Sequence, residues 1–142
     1  MPQYKPYLPG RTFIFRLRKG DDMLIAIQDF CHDNQIKCGT IWAIGAIKDL
    51  TVGFYDQKKK KYIKHTHEGD FEILNLIGNI SIMDSRPMAH IHVTVGNEKN
   101  QAFGGHLMAG AKVFACEVLI QELIGPAKIR KTDKKTGLPL WS

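Results

Sequence analysis

Residues 88–106, MAHIHVTVGNEKNQAFGGH, contain the pattern that decides the fold. Apolar and polar side chains alternate along residues 88–95, and this period of two is typical of a strand with one buried face. The next five residues, Gly-Asn-Glu-Lys-Asn at 96–100, favour a turn. We therefore predict a β-hairpin whose strands cover 87–95 and 101–103.

The polar face of this hairpin collects three histidines. His90 and His92 lie two positions apart on the first strand, so they point to the same side and stand roughly 6–7 Å apart. A turn centred on Glu98 places His106 opposite His90, and Gly104 opposite His92. Because opposed residues share a face of the sheet, we predict that all three imidazoles meet on one side.

Three imidazoles on one face form a candidate metal site. We predict that His90, His92 and His106 bind one divalent cation. Zinc is the first choice, because three imidazoles with an open fourth position are a common zinc arrangement. Nickel, copper or iron also suit these donors. We expect Gly104 and Gly105, which lack side chains, to leave room beside His92 for the ion and a water molecule.

A plainer interpretation is that these histidines are polar surface. A single His-x-His pair on an exposed strand is usually no more than that, and the third histidine at a matching position is what favours a metal. His65 and His67 form a second such pair, with no third histidine near them in the sequence. We interpret this second pair as surface and leave its role open.

The rest of the chain combines one helical pattern with many strand patterns. Apolar residues recur at helical spacing over 22–33, behind a carboxylate suited to cap the helix. Strand patterns occupy 12–18, 36–47, 49–56, 61–67, 70–82 and 112–122. One helix among many strands, without regular β-α alternation, predicts an α+β fold with a mainly antiparallel sheet and one principal amphipathic helix.

The length of 142 residues fits one domain. We expect 1–142 to be a single domain with its core at about 10–124. The basic tail, 125–142, is rich in lysine, proline and glycine, and we expect it to be the least ordered part. Cys31 and Cys116 lie in apolar patterns, so we predict that both are core residues.

Composition excludes some classes of protein. The three cysteines are an odd number without a Cys-x-x-Cys pair, which is unlike a secreted disulfide scaffold. We find no apolar run near the roughly 20 residues that span a bilayer and no signal-peptide pattern, so we expect a cytoplasmic protein with no membrane partner. The formal charge of +6 suits either a solvated surface or a polyanion partner. The candidate phosphate contacts are Lys58–Lys61 and the tail residues Lys128, Arg130, Lys131, Lys134 and Lys135.

Two long segments carry a family resemblance. HIHVTVGNEKNQAFGGHLMAGAKVFACEVLI at 90–120 and EGDFEILNLIGNIS at 68–81 resemble the plants-and-prokaryotes-conserved (PPC) domain. The helical segment GDDMLIAIQDFCHDNQI at 20–36 and the strand segment TIWAIGAIKDLTVGFYD at 40–56 fit the same family. The resemblance covers roughly residues 10–124 and keeps the motifs in the family's order.

The resemblance implies an α+β fold with a central antiparallel sheet, assembled as a homotrimer. It also implies that stand-alone prokaryotic members hold a metal by histidines, and the matching positions here are His90, His92 and His106. In plants the domain follows an AT-hook, a short arm that enters the DNA minor groove. This chain carries no such arm, so DNA stays open as a partner, as does any small-molecule ligand.

The sequence is compatible with three functions. The first is a trimeric metal-binding module with a regulatory, DNA-associated or interaction role. The second is a metal-dependent hydrolase or lyase that uses a metal-bound water, with Glu72 or Glu98 as general acid or base. The third is binding of nucleic acid through the basic residues. We find no motif that identifies a catalytic residue, so we place the metal-binding module first.

Overall fold

The structure, a computed structural model, describes residues 5–141. Its elements in chain order are β1 (Leu8–Arg16), α1 (Met23–Asp33), β2 (Gly39–Asp56), β3 (Lys61–Met83), β4 (Arg86–Gly96), β5 (Ala102–Leu107), β6 (Lys112–Ile124), β7 (Arg130–Thr132) and β8 (Pro139–Trp141). The predicted α+β class, with a mainly antiparallel sheet and one principal helix, is confirmed for this range. Within it, no helix has the length and apolar character needed to cross a membrane.

Six strands form one antiparallel sheet in the order β1-β6-β2-β3-β4-β5. The last strand, β5, also pairs with the second half of β2, where Gly53 lies opposite His106, so β2 to β5 close into a ring. β7 and β8 pair with each other in a separate hairpin. The hairpin predicted over 87–103 is formed by β4 and β5, and β5 is therefore paired along both of its edges.

The helix α1 covers one face of the sheet. Met23, Ile27 and Cys31 recur every four residues and are fully buried, which gives the helix its apolar stripe. The carboxylate of Asp22 caps the helix by accepting from two first-turn amides at 3.1 and 3.2 Å. The helix predicted over 22–33 is therefore confirmed to within one residue.

The same helix fixes the strand that carries two of the histidines. The Gln28 carboxamide donates to the carbonyl of Pro87 and accepts from the backbone N–H of Ala89 at 2.8 Å. Ala89 and Ile91 are buried in the core, so strand alternation directs the intervening His90 to the opposite face of β4. Core packing thus decides where the histidines point.

The four strands predicted between residues 36 and 82 are in fact two long ones, β2 and β3, apart from the first residues of that range. Their pairing shifts register beside Asp49, whose φ is 58°, and Gly69 has a φ of 129°. The Asp49 carboxylate accepts from the N–H of Gly69 at 3.0 Å. The predicted strands are interrupted beside these residues, at 48 and at 68–69, but in the structure the residues form a bulge at which both strands continue.

The buried cysteines are confirmed as core residues. All three cysteines are buried and free. Burial raises the pKa of the Cys31 thiol to about 12 and that of Cys116 to about 11, in the latter case with the Glu117 charge acting in the same direction. Both thiols therefore stay protonated at neutral pH.

The tail, which the composition leaves without predicted elements, forms the β7–β8 hairpin and returns to the sheet. The backbone N–H of Ile82 donates to the carbonyl of Lys128 at 2.8 Å. The Tyr55 hydroxyl donates to the carbonyl of Thr136 at 2.7 Å. These partners are far apart in the sequence, so local composition carries no sign of them.

Candidate metal centre

Three imidazoles converge on the face of the sheet opposite α1. His90 and His92 project from β4 and His106 from β5, and one nitrogen of each ring lies within 4.8 Å of the chosen nitrogen of the other two. The ring centroids are 5.0, 5.1 and 5.5 Å apart. The structure thus brings the three predicted residues together, and their binding of a metal ion stays a prediction.

The spacing of the ring nitrogens fits a tetrahedral cation. Nε2 of His90 and Nε2 of His92 are 3.2 Å apart, close to the roughly 3.3 Å between two ligands held about 2.0–2.1 Å from a tetrahedral zinc ion. Nδ1 of His106 is buried and has no hydrogen-bond partner within residues 5–141. A buried polar atom without a partner is unfavourable, and a cation bound to this nitrogen is one arrangement that supplies a partner.

The surroundings keep two of the three imidazoles, those of His90 and His106, in the neutral form that binds metal ions. Burial is the main cause that lowers the pKa of His90 to about 4, and neighbouring histidines and an arginine add to it. Burial also lowers the pKa of His106, again with positive neighbours acting in the same direction. At neutral pH both rings are therefore unprotonated, and neither has to release a proton when a cation binds.

The hairpin register differs from the prediction by two positions. His92 lies opposite His106, and Gly104 lies opposite Thr94, so the predicted pairing of His90 with His106 is wrong. The turn is displaced by one residue along the chain, because the backbone N–H of Asn97 donates to the carbonyl of Gln101 at 3.1 Å. A slip of two keeps every side chain on its predicted face, and the three imidazoles still converge.

The two glycines of β5 do not leave the predicted vacancy beside the histidines. A Cβ on Gly104 would lie 1.9 Å from the carbonyl oxygen of Val93, and a Cβ on Gly105 would lie 3.0 Å from that of Gly53. Backbone already occupies both positions, so the expected room for an ion and a water is wrong at these glycines. Their role is to let β5 approach its neighbours closely.

Two groups beside the histidines were not predicted. Tyr62 stacks on the His106 ring, with centroids 4.7 Å apart and planes at 30°. Arg130, on β7, is only 7% exposed, and its Nη2 lies 3.5 Å from Nδ1 of His90. Tyr62 follows a lysine run, and no motif marks it. The prediction of Arg130 as a phosphate contact is wrong, because its side chain is buried rather than exposed.

The second histidine pair does not join this cluster. His65 is exposed, and His67 packs against Phe103 with ring centroids 4.5 Å apart. Neither is part of the group of metal-capable side chains found within residues 5–141. His65 is therefore a surface residue, as interpreted from the sequence, whereas His67 is half-buried.

The carboxylates considered as general acid or base lie far from the histidines. Glu72 and Glu98 line a cavity of about 560 Å³. Glu72 pairs with Gly96, whereas Ile77, five residues further along β3, pairs with His92. At about 3.3 Å per residue, Glu72 is roughly 15 Å along the strand from the level of His92 and His106.

Comparison with known proteins identifies the family to which the chain belongs. Residues 4–124 match the Plants and Prokaryotes Conserved (PCC) domain, the family abbreviated PPC above. The chain therefore belongs to this family, as its sequence resemblance predicts. The resemblance to the family is confirmed, while the trimer and the metal remain expectations.

Solved structures similar to this chain carry three kinds of description. A metal-containing protein from Archaeoglobus fulgidus is 41% identical, with 99% of both chains covered and a TM-score of 0.93. A plant- and prokaryote-conserved (PPC) protein from Pyrococcus horikoshii is 38% identical over 99% of this chain and 96% of that one, with a TM-score of 0.94. A candidate DNA-binding protein from Bacteroides thetaiotaomicron is 30% identical over 96% of each chain, with a TM-score of 0.87.

A curated relative is much longer than this chain. It is the bifunctional protein GlmU of a Synechococcus species, 26% identical over 137 residues. The match takes in 94% of this chain but spans only 20% of that relative's length.

Proposed function

We propose that this chain is a metal-binding protein whose His90, His92 and His106 hold one divalent cation, with zinc as the first choice. The observation that carries the proposal is the convergence of three ring nitrogens within 4.8 Å on one face of the sheet. The lowered pKa values of His90 and His106 support it, because neutral imidazole is the ligating form. The description of the Archaeoglobus fulgidus relative as metal-containing supports it as well.

Elemental analysis of the purified protein tests this proposal. We expect about one metal ion per chain in the wild type and a loss of most of it in His90→Ala/His106→Ala, because two of three ligands are removed. The matched control is His65→Ala/His67→Ala, which removes the other pair and should keep the metal. Equal metal content in all three proteins would refute the site.

We also infer that the chain associates with itself through the face that carries the histidines, as the family's homotrimer implies. An apolar row crosses that face from strand to strand, because Ile14 and Trp42 both pair with Leu119, and Trp42 also pairs with Ile77. Ile14 is 79%, Trp42 42% and Ile77 50% exposed in the single chain. Large apolar side chains grouped in this way are typical of an interaction surface.

The same row leads to the metal centre, because Ile77 pairs with His92 and His92 pairs with His106. A subunit boundary over the row would therefore lie beside the histidines. Light scattering of the wild type should give a mass three times that of the chain, and Trp42→Glu should reduce it. Ile25→Glu, on the exposed side of α1, is the matched control and should leave the trimer intact. A monomeric wild type would contradict the inference.

Polyanion binding is a second candidate function, and one observation favours it. The turn after β2 carries Lys58–Lys60, with Lys61 at the start of β3, and the turn between β7 and β8 carries Lys134 and Lys135. Lys60 Nζ donates to the carbonyl of Lys134 at 3.2 Å, so the two turns lie side by side. This contact joins two basic segments that are more than seventy residues apart in the sequence into one exposed patch.

Fluorescence anisotropy with a short DNA duplex tests this second function. Replacing Lys58, Lys59, Lys134 and Lys135 with serine should weaken binding uniformly across sequences. It should also reduce the slope of log K against log salt by about 3–4. The matched control, Lys37→Ser/Lys99→Ser, should change the slope less. An unchanged slope in the fourfold variant would remove this patch as a polyanion site.

The enzyme alternative receives less support from the geometry. A general acid or base must lie within hydrogen-bond reach of a metal-bound water. Glu72 and Glu98, the two carboxylates considered for that role, line a cavity at the far end of the β3–β4 ladder. We therefore place metal binding and self-association ahead of hydrolase or lyase chemistry.

A further inference from the structure

The basic tail brings a buried positive charge to the metal centre. Arg130 lies on β7, beyond the 4–124 segment that matches the family. It is 7% exposed and is held by three hydrogen bonds: Nε to Ser81 Oγ at 2.6 Å, Nη2 to Asn79 Oδ1 at 2.9 Å and Nη1 to the Pro139 carbonyl at 2.8 Å. Trp141 covers the guanidinium, which lies 4.7 Å from the ring centroid.

This arginine is aimed at the histidine cluster by the sheet itself. Asn79, which accepts from Arg130, is the β3 residue directly opposite His90 on β4. The guanidinium therefore reaches the His90 ring, with Nη2 3.5 Å from Nδ1. The other nitrogen of that ring, Nε2, faces His92 at 3.2 Å. The imidazole of His90 thus stands between the guanidinium and the position where the proposed cation would bind.

The charge of Arg130 is not neutralised by its partners. A hydroxyl, a side-chain amide and a backbone carbonyl accept its hydrogen bonds, and all three are uncharged. The ion pairs found within residues 5–141 are Arg11–Glu122 and His32–Asp33, which do not involve Arg130. The three histidines are neutral ligands as well. A dication on them would give a partly buried centre with a net charge of about +3.

We propose that the metal centre takes a small anion, a carboxylate or an inorganic oxyanion, as its exogenous ligand, and that Arg130 is a specificity-determining residue that favours an anionic over a neutral ligand. The proposal rests on the proposed metal-binding function. A partly buried excess of positive charge is stabilised by an anion at the open coordination position. A neutral ligand at the same position gains nothing from the guanidinium charge.

The size of the preference follows from the geometry. The guanidinium of Arg130 lies roughly 8 Å from the position of the cation. This distance is the sum of the 3.5 Å contact between Nη2 and Nδ1 of His90, the width of the imidazole ring and a metal–nitrogen bond of about 2.0–2.1 Å. The anion lies beyond the cation, at roughly 10 Å, and one unit charge acting over that distance in a protein environment changes the affinity for a monoanion by at least about tenfold. The same charge leaves the affinity for an uncharged ligand almost unchanged.

Cobalt-loaded protein provides the test, because bound ligands alter the visible spectrum of the ion. Acetate, inorganic phosphate and neutral imidazole are titrated separately into the wild type, Arg130→Met and Arg130→Lys in chloride-free buffer. We expect Arg130→Met to bind acetate about tenfold more weakly relative to imidazole. Arg130→Lys loses the planar guanidinium, as Arg130→Met does, but it keeps the positive charge. Its ratio of acetate affinity to imidazole affinity should therefore stay near that of the wild type. The acetate and phosphate arms distinguish a carboxylate from an inorganic oxyanion.

Two results would overturn the inference. One is an equal acetate-to-imidazole ratio in Arg130→Met and Arg130→Lys, and the other is a wild-type spectrum that imidazole changes but neither anion does. Arg130→Gln, which keeps an amide donor for Ser81 or Asn79, replaces the methionine variant if that protein does not fold. A wild type that takes up no cobalt would instead refute the metal-binding function, so the two failures are distinct.

Discussion

Replacing Gly104 with alanine adds a methyl group where β4 and β5 touch. The new Cβ would lie 1.9 Å from the carbonyl oxygen of Val93 and 3.0 Å from Cα of Thr94. Relief of the first contact needs a movement of about 1 Å, as for other overpacked sites. Val93 is buried in the core, so we expect β5 to move rather than β4.

This movement affects both stability and the metal centre. Overpacking of a filled site costs about 1–3 kcal/mol, which in a chain of this length lowers the Tm by roughly 3–12 °C. His106 lies two residues further along β5, and a shift of about 1 Å exceeds the roughly 0.2 Å by which metal–ligand distances vary. We expect zinc affinity to fall by about 10–100-fold, as when a residue that orients a ligand is lost.

Thermal unfolding in EDTA measures the effect on stability, and competition with a chromophoric chelator measures zinc affinity. The matched control is Gly96→Ala in the same hairpin. There the added Cβ would meet only the flexible side chain of Leu74 at 3.3 Å, so little change is expected. A Gly104→Ala protein with the Tm and zinc affinity of the wild type would refute the reasoning about strand approach.

Three further predictions concern the metal-free protein. The pKa of His90 is about 4 in the folded protein, whereas an imidazole in the unfolded chain titrates near 6.5. As the pH is lowered, the unfolded chain therefore takes up a proton before the folded protein does. The free energy of unfolding should fall from about pH 6.5 towards pH 4. Denaturant titrations should show a shallower fall in His90→Gln, and equal slopes would contradict this. Asp22→Ala removes the helix cap and the 2.7 Å hydrogen bond that the carboxylate accepts from the backbone N–H of Gly110. It should therefore lower the free energy of unfolding by about 1–2 kcal/mol. The control Asp29→Ala, at an exposed position of the same helix, should leave the free energy of unfolding almost unchanged. The hydrogen bond from Arg11 lowers the pKa of Glu122, so Arg11→Met should lower the Tm at pH 7. This Tm difference should shrink as the pH falls below the ordinary glutamate range and the carboxylate becomes protonated, and a Tm difference that does not change with falling pH would count against the pair.

The face on which the histidines lie could be predicted from the sequence, because strand alternation is a property of the local backbone. Ile91, Val93 and Val95 are buried as the pattern indicates, and His90 and His92 point away from them. The exact register could not be predicted, because it depends on which turn residue has a positive φ, here Asn100 at 57°. The prediction of convergence was insensitive to this error, since a slip of two keeps the parity.

The surroundings of the histidines could not be predicted, because they depend on contacts between remote segments. Arg130 reaches His90 only after the tail docks beside β3, and no local pattern in a segment rich in lysine and proline indicates such docking. Gly104 shows the same limit in another way. A glycine in a strand is compatible with empty space or with close backbone approach, and only the position of Val93 distinguishes the two.

Anomalous diffraction at the zinc edge, from crystals of the zinc-loaded protein, tests the central claim most directly. The account predicts one strong peak per chain, about 2.0–2.1 Å from a ring nitrogen of each of His90, His92 and His106. A zinc ion bound elsewhere, or held by fewer than three of these rings, would contradict it.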